Sequence, residues 1–182
     1  MLHLAPEPAL DRPLRQVRGL TRITADLNRH DVMARLDVTH LPCADDSFDV
    51  IYCSHVLEHV PDDLAAMAEL QRVLRPGGWA ILQVPILREF TDEDPSVVTP
   101  EERLRRFGQR DHVRVYGRDY AKRLEVSGFQ VHVDDFGRRV SQARPGYFGL
   151  DANEDIYLCR KAQGRAAGGL ASRSRLVSTA SR

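Results

Sequence analysis

Short apolar runs that alternate with amphipathic segments constrain the fold of this chain most. The apolar runs have the length of buried strands, and the segments between them carry apolar residues at helical spacing. This alternation is typical of an α/β domain with a largely parallel sheet. The predicted strands cover residues 2–4, 20–25, 34–36, 48–53, 79–84, 129–133 and 156–159.

Periodicity and end signals predict helices between these strands. The predicted helices cover residues 62–75, 99–106 and 118–127. Asp62 can cap the first turn of the earliest helix, because its carboxylate can accept a backbone N–H. Thr99 and Glu102 have the spacing of a capping box at the start of the next one.

The sequence predicts two departures from a complete α/β fold. Only residues 27–33 separate the second and third strands, which is too few for the usual crossover helix, so we expect a loop there. The sequence also opens directly in its first strand, so the fold is expected to be short at its N-terminus. A segment upstream or a second copy in a homodimer would then supply the cover at that end of the sheet.

Composition bounds the function class. Lys plus Arg and Asp plus Glu both number 26, so no overall field favours nucleic acid or a membrane surface. Residues 1–162 are predicted to form one domain, and residues 163–182, which hold four Arg and no acidic residue, a disordered basic tail. The three cysteines lie far apart without a CxxC pair, which indicates a reducing, cytoplasmic setting and no structural zinc.

Polar residues follow several predicted strands, at the edge where open parallel sheets bind ligands. Asp26 ends the second strand, and a carboxylate there can accept two hydrogen bonds from a ribose diol. An isolated acid at a strand end more often caps a turn, and that alternative stays open for Asp26. Asp37 and Val38 follow the third strand, and Ser54 and His55 follow the fourth.

Two longer motifs carry more information. Residues 37–60 read DVTHLPCADDSFDVIYCSHVLEHV, and residues 72–82 read RVLRPGGWAIL. Together, at this spacing, they resemble the class I S-adenosylmethionine-dependent methyltransferases of the type 11 group, over about residues 1–161. The resemblance implies a Rossmann-like, doubly wound, mostly parallel seven-stranded sheet of order 3-2-1-4-5-7-6 with the last strand antiparallel.

The resemblance also implies a cofactor site for S-adenosyl-L-methionine. Asp26 would hold the ribose, and Asp37 and Val38 would flank the adenine. Ser54 and His55 would line the methionine or substrate side. The candidate cofactor-binding residues are His3, Ala5, Pro6, Glu7, Asp26, Leu27, Asp37, Val38, Ser54 and His55.

The turn after the first strand departs from the family pattern. The family has an acidic residue and a glycine-rich loop there, whereas this chain has His3, Ala5, Pro6 and Glu7, within the variant Leu-His-Leu-Ala-Pro-Glu. Pro6 lacks an N–H donor, and Glu7 would bring charge to the cofactor's carboxylate or pair with its ammonium or sulfonium. We expect a variant loop that keeps cofactor binding.

His55, Glu58 and His59 share the spacing i, i+3 and i+4, which on a helix would place them on one face, where they can hold a divalent ion. A similar Glu-x-x-Glu-His holds metal in the ubiquinone-type O-methyltransferases. The simpler interpretation is that Glu58 and His59 fix the turn after the fourth strand by hydrogen bonds. That interpretation is favoured, so no metal is expected.

Residues 86–115 form an insertion that in this family lies over the substrate mouth. His112 is therefore a second candidate site residue, with a solvated charged loop as the alternative. The long connection of residues 134–153 is expected to form the other wall, and it contains Tyr147 and Phe148.

The leading hypothesis is a methyltransferase that acts on an oxygen or nitrogen atom of a small molecule. Methyl transfer needs alignment and exclusion of water, and His55 or His112 would serve as a base where the acceptor must lose a proton. One alternative is a methyltransferase-like protein without catalysis that acts as a binding or assembly partner. Another keeps the fold but runs a different reaction, such as cyclisation or hydrolysis.

Overall fold

The computed structural model of the protein describes residues 1–143 and 154–163. Within these ranges one seven-stranded sheet and one three-stranded sheet form. The strands are β1 (Leu2–Leu4), β2 (Ile23–Asp26), β3 (Ala34–Arg35), β4 (Phe48–Ser54), β5 (Leu74–Gln83), β6 (Ile86–Arg88), β7 (Asp92–Glu93), β8 (Arg114–Gly117), β9 (Gln130–Asp134) and β10 (Ile156–Arg160). The helices are α1 (Pro8–Leu14), α2 (Asp63–Val73), α3 (Pro100–Phe107), α4 (Tyr120–Val126) and α5 (Phe136–Ala143), and a 3₁₀ turn covers Leu57–His59.

The large sheet has the order β3-β2-β1-β4-β5-β10-β9. Each neighbouring pair from β3 to β5 is parallel, whereas β10 runs antiparallel to both β5 and β9. This confirms the predicted mixed seven-stranded sheet and its order. The strands step outward from β1 to β3 and return to β4 on the other side of β1, so the carboxyl ends of β1 and β4 form the switch point at which such sheets bind ligands.

The connection from β2 to β3 is a loop of residues 27–33, as predicted from its length. Thr24 holds the loop by accepting the N–H of Met33 through Oγ1 at 3.1 Å. Arg29 ties it to the turn after β1, because its Nη1 donates to the Pro6 carbonyl at 2.7 Å. The loop therefore stays next to the carboxyl end of β1 without a crossover helix.

Side-chain caps begin two of the predicted helices. The Asp62 carboxylate accepts the N–H of Ala65 at 2.9 Å at the start of α2. Thr99 accepts the N–H of Glu102, and the Glu102 carboxylate accepts the N–H of Thr99 at 3.2 Å, so the capping box predicted for α3 forms. Each pair satisfies backbone donors that a helix start leaves without a partner.

The junction between α2 and β5 differs from the prediction. The helix stops at Val73 and the strand begins at once at Leu74, whereas the sequence pattern predicts a strand from residue 79. Phe48 pairs with Leu74 and Val50 pairs with Trp79, so residues 75–78 bulge out of the ladder between two paired stretches. Periodicity does not show such a bulge, because its residues are mostly exposed.

Helix α1 is not indicated by the sequence pattern. Pro8 stands at its start, where the missing N–H costs nothing, and Pro13 lies inside it. Asp11 is buried on this helix and pairs with Arg15 at 2.7 Å and with Arg22. The segment lacks the usual apolar periodicity of a helix, because it contains two prolines and its buried position is occupied by the ion-paired Asp11.

Residues 86–117 contain the small sheet, whose order is β6-β8-β7, together with α3. Arg114 and Tyr116 on β8 are buried. The hydroxyl of Tyr116 donates to Asp63 at 2.7 Å, and Arg123 of α4 donates to the same carboxylate at 2.7 Å. The segment is thus anchored to the first turn of α2, beside the 3₁₀ turn.

The core lies between the central strands and helices α2 and α4. Its fully buried side chains include Leu2, Ile51, Met67, Leu70, Leu82 and Leu124. Among the described residues, no helix has the length and apolar character needed to cross a bilayer. Tyr147, Phe148 and, apart from Gln163, the predicted tail lie outside the described residues.

Candidate functional site

An open cavity of about 890 Å³ lies at the carboxyl ends of the central strands. The ends of β1 to β4 contribute Ala5, Asp26, Asp37 and His55, respectively, to its lining. Another wall comes from residues 59–62, which run from the last residue of the 3₁₀ turn to the N-cap of α2. The volume is in the range of small-molecule and cofactor sites, about 300–1,000 Å³. The protein's own side chains thus leave room for a nucleoside.

Ala5 turns the chain out of β1 with a positive φ of 45°. Its N–H donates to the Ala25 carbonyl at 2.8 Å, so the turn is fixed to β2. A left-handed backbone conformation is one that glycine adopts most easily. Ala5 therefore takes a glycine-like conformation at a position where the resemblance implies a glycine-rich loop.

The other residues of this turn do not line the cavity. Pro6 is buried and its carbonyl accepts Arg29. Glu7 forms the N-cap of α1, where its carbonyl accepts the N–H of Asp11 at 2.8 Å. Neither residue fills the cavity.

His3 is buried behind the cavity, because alternate residues of β1 point to opposite faces and Leu4 is the one that lines it. Its Nδ1 lies 4.0 Å from Asp11, and its ring meets Tyr52 edge to face at 5.2 Å. Neither ring nitrogen has a hydrogen-bond partner among the described residues. Burial lowers the pKa of His3, so the ring is neutral at pH 7.

Asp26 both caps a turn and lines the cavity. Its Oδ1 accepts the N–H groups of Asn28 at 2.7 Å and Arg29 at 3.0 Å. Within the described residues its Oδ2 has no hydrogen-bond donor. The two interpretations of Asp26 are therefore compatible, because one oxygen fixes the turn and the other is available to a ligand. Leu27, which follows, is half-exposed at the cavity edge.

Asp37 and Val38 form the lining beyond β3. Asp37 Oδ1 accepts the Thr39 hydroxyl at 2.7 Å and the Thr39 N–H at 2.9 Å. These hydrogen bonds, the hydroxyl first, lower the pKa of Asp37, so the carboxylate is ionised at neutral pH. Val38 is buried and presents an apolar surface beside it.

His55 ends β4 in an unusual conformation, with a φ of 52°. Its side chain is 53% exposed and lines the cavity, and its Nδ1 lies 3.3 Å from Oε1 of the buried Glu58. This contact fits a proton on Nδ1, which leaves the lone pair on Nε2. Ser54, by contrast, is buried in the sheet and does not line the cavity.

His112 lies one layer behind the cavity wall. It is buried, and its ring meets the ring of His59 edge to face at 4.6 Å. Burial, followed by the neighbouring His59, lowers the pKa of His112. His59 lines the cavity itself, and its Nδ1 lies 3.2 Å from Asp111, which also lines it.

Sequence reasoning considered His59 only as a metal ligand or as a residue that fixes the turn, not as part of the cavity lining, and it overlooked Asp111. The two residues meet because the N–H of Val113 donates to the Glu58 carbonyl at 2.9 Å and joins the insertion to the 3₁₀ turn. This contact spans more than fifty positions, so no local spacing indicates it. The only indication in the sequence that Asp111 lies near the site is its position next to the candidate residue His112.

Comparisons with known proteins find methyltransferases that are similar to part of the sequence. The sequence profile of the family described as "Methyltransferase domain" matches residues 16–82. Methyltransferase GfsG of Streptomyces halstedii is 42% identical over 62 residues, which cover 34% of this chain and 22% of that protein. The chain thus spans about a fifth of the length of this curated relative.

Solved structures share the fold at low sequence identity. An S-adenosylmethionine-dependent methyltransferase from Mesorhizobium loti aligns with a TM-score of 0.56 and 18% identity, over 87% of this chain and 88% of that one. Phosphoethanolamine N-methyltransferase 2 of Haemonchus contortus, solved with S-adenosyl-L-methionine, aligns with a TM-score of 0.60 and 15% identity, over 90% of this chain and 48% of that one.

Proposed function

We propose that the protein is a class I methyltransferase that transfers a methyl group from S-adenosyl-L-methionine to an oxygen or nitrogen atom of a small molecule. Residues 16–82 match the sequence profile of a methyltransferase domain, which supports this proposal. S-Adenosyl-L-methionine is the methyl donor in this family. The observation that carries the proposal is the open cavity at the switch point of the sheet, with a carboxylate at the ends of both β2 and β3.

The residues present fit the nucleoside part of that cofactor. Asp26 offers a carboxylate oxygen to the ribose hydroxyls, while its other oxygen holds the turn. Asp37 offers an acceptor for the adenine amino group, and Val38 offers an apolar surface to the ring. Ala5 supports the close approach of the β1 turn in place of a glycine.

The bound cofactor would supply an activated methyl group on a sulfonium sulfur. The chain's own task is then to hold the nucleoside, align the acceptor and exclude water. His55 is placed to accept a proton from the acceptor, because it lines the cavity and Glu58 orients its ring. We assign His112 a supporting role behind His59, since it does not reach the cavity surface.

The alternative of a methyltransferase-like protein without catalysis predicts a different cavity from that of a protein that binds the cofactor. If the replaced glycines abolished cofactor binding, Pro6 or Glu7 would be expected to fill the cavity. Both residues lie outside its lining. The loop substitution therefore leaves the cavity open, which favours cofactor binding over a purely structural role.

A small acceptor fits the cavity better than a polymer does. A site of about 890 Å³ accommodates a nucleoside cofactor beside a molecule of modest size. The equal numbers of basic and acidic residues offer no general attraction for nucleic acid.

Binding of S-adenosylhomocysteine to the Asp37→Asn variant tests the proposal. The substitution keeps the size of the side chain but removes a charged acceptor, so we expect isothermal titration calorimetry to show roughly tenfold weaker binding than the wild type. Asp94→Asn is the matched control. Asp94 accepts the Ser96 hydroxyl at 2.7 Å and the Ser96 N–H at 3.0 Å, the same turn geometry, away from the cavity.

The Asp94→Asn variant should bind S-adenosylhomocysteine as the wild type does. A folded wild-type protein that does not bind S-adenosylhomocysteine would contradict the proposal. Equal affinity in the Asp37→Asn variant and the wild type would contradict the placement of the adenine.

A further inference from the structure

Three potential metal ligands meet at the cavity wall. Glu58 and His59 belong to the 3₁₀ turn after β4, and His112 comes from the insertion that precedes β8. Each offers one ligand atom, and the three atoms lie within 4.8 Å of one another. The hydrogen bond from the N–H of Val113 to the carbonyl of Glu58 holds the two segments together.

One carboxylate oxygen of Glu58 is buried without a partner in the described part of the chain. Its side chain is 3% exposed, and its Oε2 is buried without a hydrogen-bond partner among the described residues. Its other oxygen has the contact with His55 at 3.3 Å. A buried carboxylate is costly without a cation or several donors around it.

Arg114 is a buried cation on β8, but its contacts are with other groups. Arg114 donates to the carbonyls of Leu57 at 2.9 Å and Pro61 at 2.8 Å, and to Glu93 at 3.0 Å. These contacts direct its guanidinium toward the backbone of the 3₁₀ turn and toward β7. Within the part of the chain that the structure describes, Arg114 forms ion pairs with Asp63 and Glu93 and not with Glu58, so the buried oxygen is available for a ligand.

Two imidazoles and one carboxylate form a donor set with a defined preference. Zn²⁺ and other divalent first-row transition ions bind this combination, whereas Mg²⁺ and Ca²⁺ prefer oxygen ligands alone. Metal–ligand distances of about 2.0–2.2 Å place tetrahedral ligand atoms about 3.4 Å apart. Small side-chain rotations would bring atoms that are within 4.8 Å to this separation.

The surroundings of the cluster also match those of a metal site. Ligating histidines usually donate their second ring nitrogen to a carboxylate or a carbonyl, which orients the ring. His59 has such a partner in Asp111, at 3.2 Å from Nδ1. His55 holds the other oxygen of Glu58 in the same way.

We propose that Glu58, His59 and His112 bind one divalent transition-metal ion at the wall of the cavity. Since His59 lines the cavity, the ion would lie at the edge of the cavity, and an oxygen of a bound molecule would complete its coordination. The competing explanation is a metal-free polar cluster in which the rings of His59 and His112 pack edge to face.

Zn²⁺ titration of the full chain tests this proposal without the cofactor. The protein is purified without a metal-affinity tag and dialysed against a chelator. We then expect calorimetry to show one Zn²⁺ per chain, and the Co²⁺-substituted protein to show visible ligand-field absorption. In the His112→Gln variant we expect roughly tenfold or greater loss of Zn²⁺ affinity.

His132→Gln is the matched control, because His132 is an exposed histidine on β9 at the edge of the sheet. It should bind Zn²⁺ as the wild type does. Glu58→Gln provides a second variant that keeps the side-chain shape, and its folding is checked by circular dichroism.

Absence of Zn²⁺ and Co²⁺ binding by the wild type would overturn the proposal even if the variants do not fold. Unchanged affinity in a folded His112→Gln protein would overturn it as well. Because neither measurement uses S-adenosylhomocysteine, the metal site and the methyltransferase function can fail separately.

Discussion

Ala5 shows how a single residue can keep a turn that another residue type usually makes. Its φ of 45° lies in the left-handed region, where an L side chain is strained by about 1–2 kcal/mol. Two hydrogen bonds hold the turn in place: the Ala5 N–H donates to the Ala25 carbonyl, and Arg29 donates to the Pro6 carbonyl. The turn therefore holds a residue with a side chain in a conformation that glycine adopts more easily.

The substitution Ala5→Gly is expected to stabilise the protein by up to about 1 kcal/mol. Glycine relieves the strain, and its greater freedom in the unfolded chain, worth about 0.5–1 kcal/mol, offsets part of the gain. Urea unfolding measures the difference. Ala80→Gly is the matched control, because Ala80 is buried in the interior of β5 and should lose stability on the same change. If Ala5→Gly destabilises the protein as much as Ala80→Gly does, the strain argument is wrong.

At the scale of elements, helix α3 depends on its first turn. The helix is short, most of its residues are exposed, and it has little packing beyond Phe107. Helices of this length are marginal alone, so local signals decide whether they form. The capping box of Thr99 and Glu102 supplies such a signal, and Gly108 ends the helix with a φ of 86°.

Replacing Thr99 by Ala should destabilise α3 by about 1 kcal/mol, because the N–H of Glu102 loses its acceptor. Hydrogen exchange is the suitable measurement, since a surface helix can open without global unfolding. The amides of residues 100–107 should exchange roughly fivefold faster, given that free energy. Thr99→Ser keeps the hydroxyl and should leave exchange nearly unchanged. Equal exchange in the Thr99→Ala variant and the wild type would show that the cap does not hold the helix.

For the whole molecule, the sequence predicts the features that depend on residues close to one another in the chain. Alternating apolar runs predicted a largely parallel sheet, and its order was implied by the family that the motifs of residues 37–60 and 72–82 resemble. The length of residues 27–33 predicted the missing crossover helix. The strands and the loop depend on neighbours in the chain, so periodicity and spacing can reveal them, whereas the sheet order came from the resemblance to a known family.

Features created by long-range contacts were not predicted. The bulge at residues 75–78 arises from the pairing of Leu74 with Phe48, and helix α1 is hidden by its prolines. The cluster of Glu58, His59 and His112 exists because the insertion folds back on the 3₁₀ turn. The same distinction applies to the candidate site residues. The sequence pattern pointed to Asp26 and Asp37, which line the cavity, but it could not show that His3 points away from it.

Acid stability is a property of the whole molecule, and the ion pair between Glu69 and Arg72 contributes to it. Glu69 on α2 accepts two hydrogen bonds from Arg72, at 2.7 and 2.8 Å, and one from the N–H of Leu41 at 2.8 Å. Arg72 also donates to the carbonyls of Leu41 and Cys43. The pair therefore fastens the loop before β4 to the helix behind the sheet.

These contacts, those of Arg72 first, lower the pKa of Glu69 to about 2 from its ordinary 4.5. A carboxyl group whose pKa is lowered by folding stabilises the protein fully above its ordinary pKa. That contribution is lost as the pH falls from about 4.5 toward 2. Glu69→Gln should thus cost about 1–2 kcal/mol at pH 7, and the difference from the wild type should shrink at pH 3.

Urea unfolding of both proteins at the two pH values measures this change. Glu101→Gln is the control, because Glu101 forms an ion pair with Arg110 in which both side chains are more than 60% exposed. Exposed pairs contribute little, so its unfolding midpoint should match that of the wild type at both pH values. If the Glu69→Gln variant is equally destabilised at pH 7 and pH 3, its effect comes from lost packing and not from the ionised carboxylate, and another group must control the acid stability of the fold.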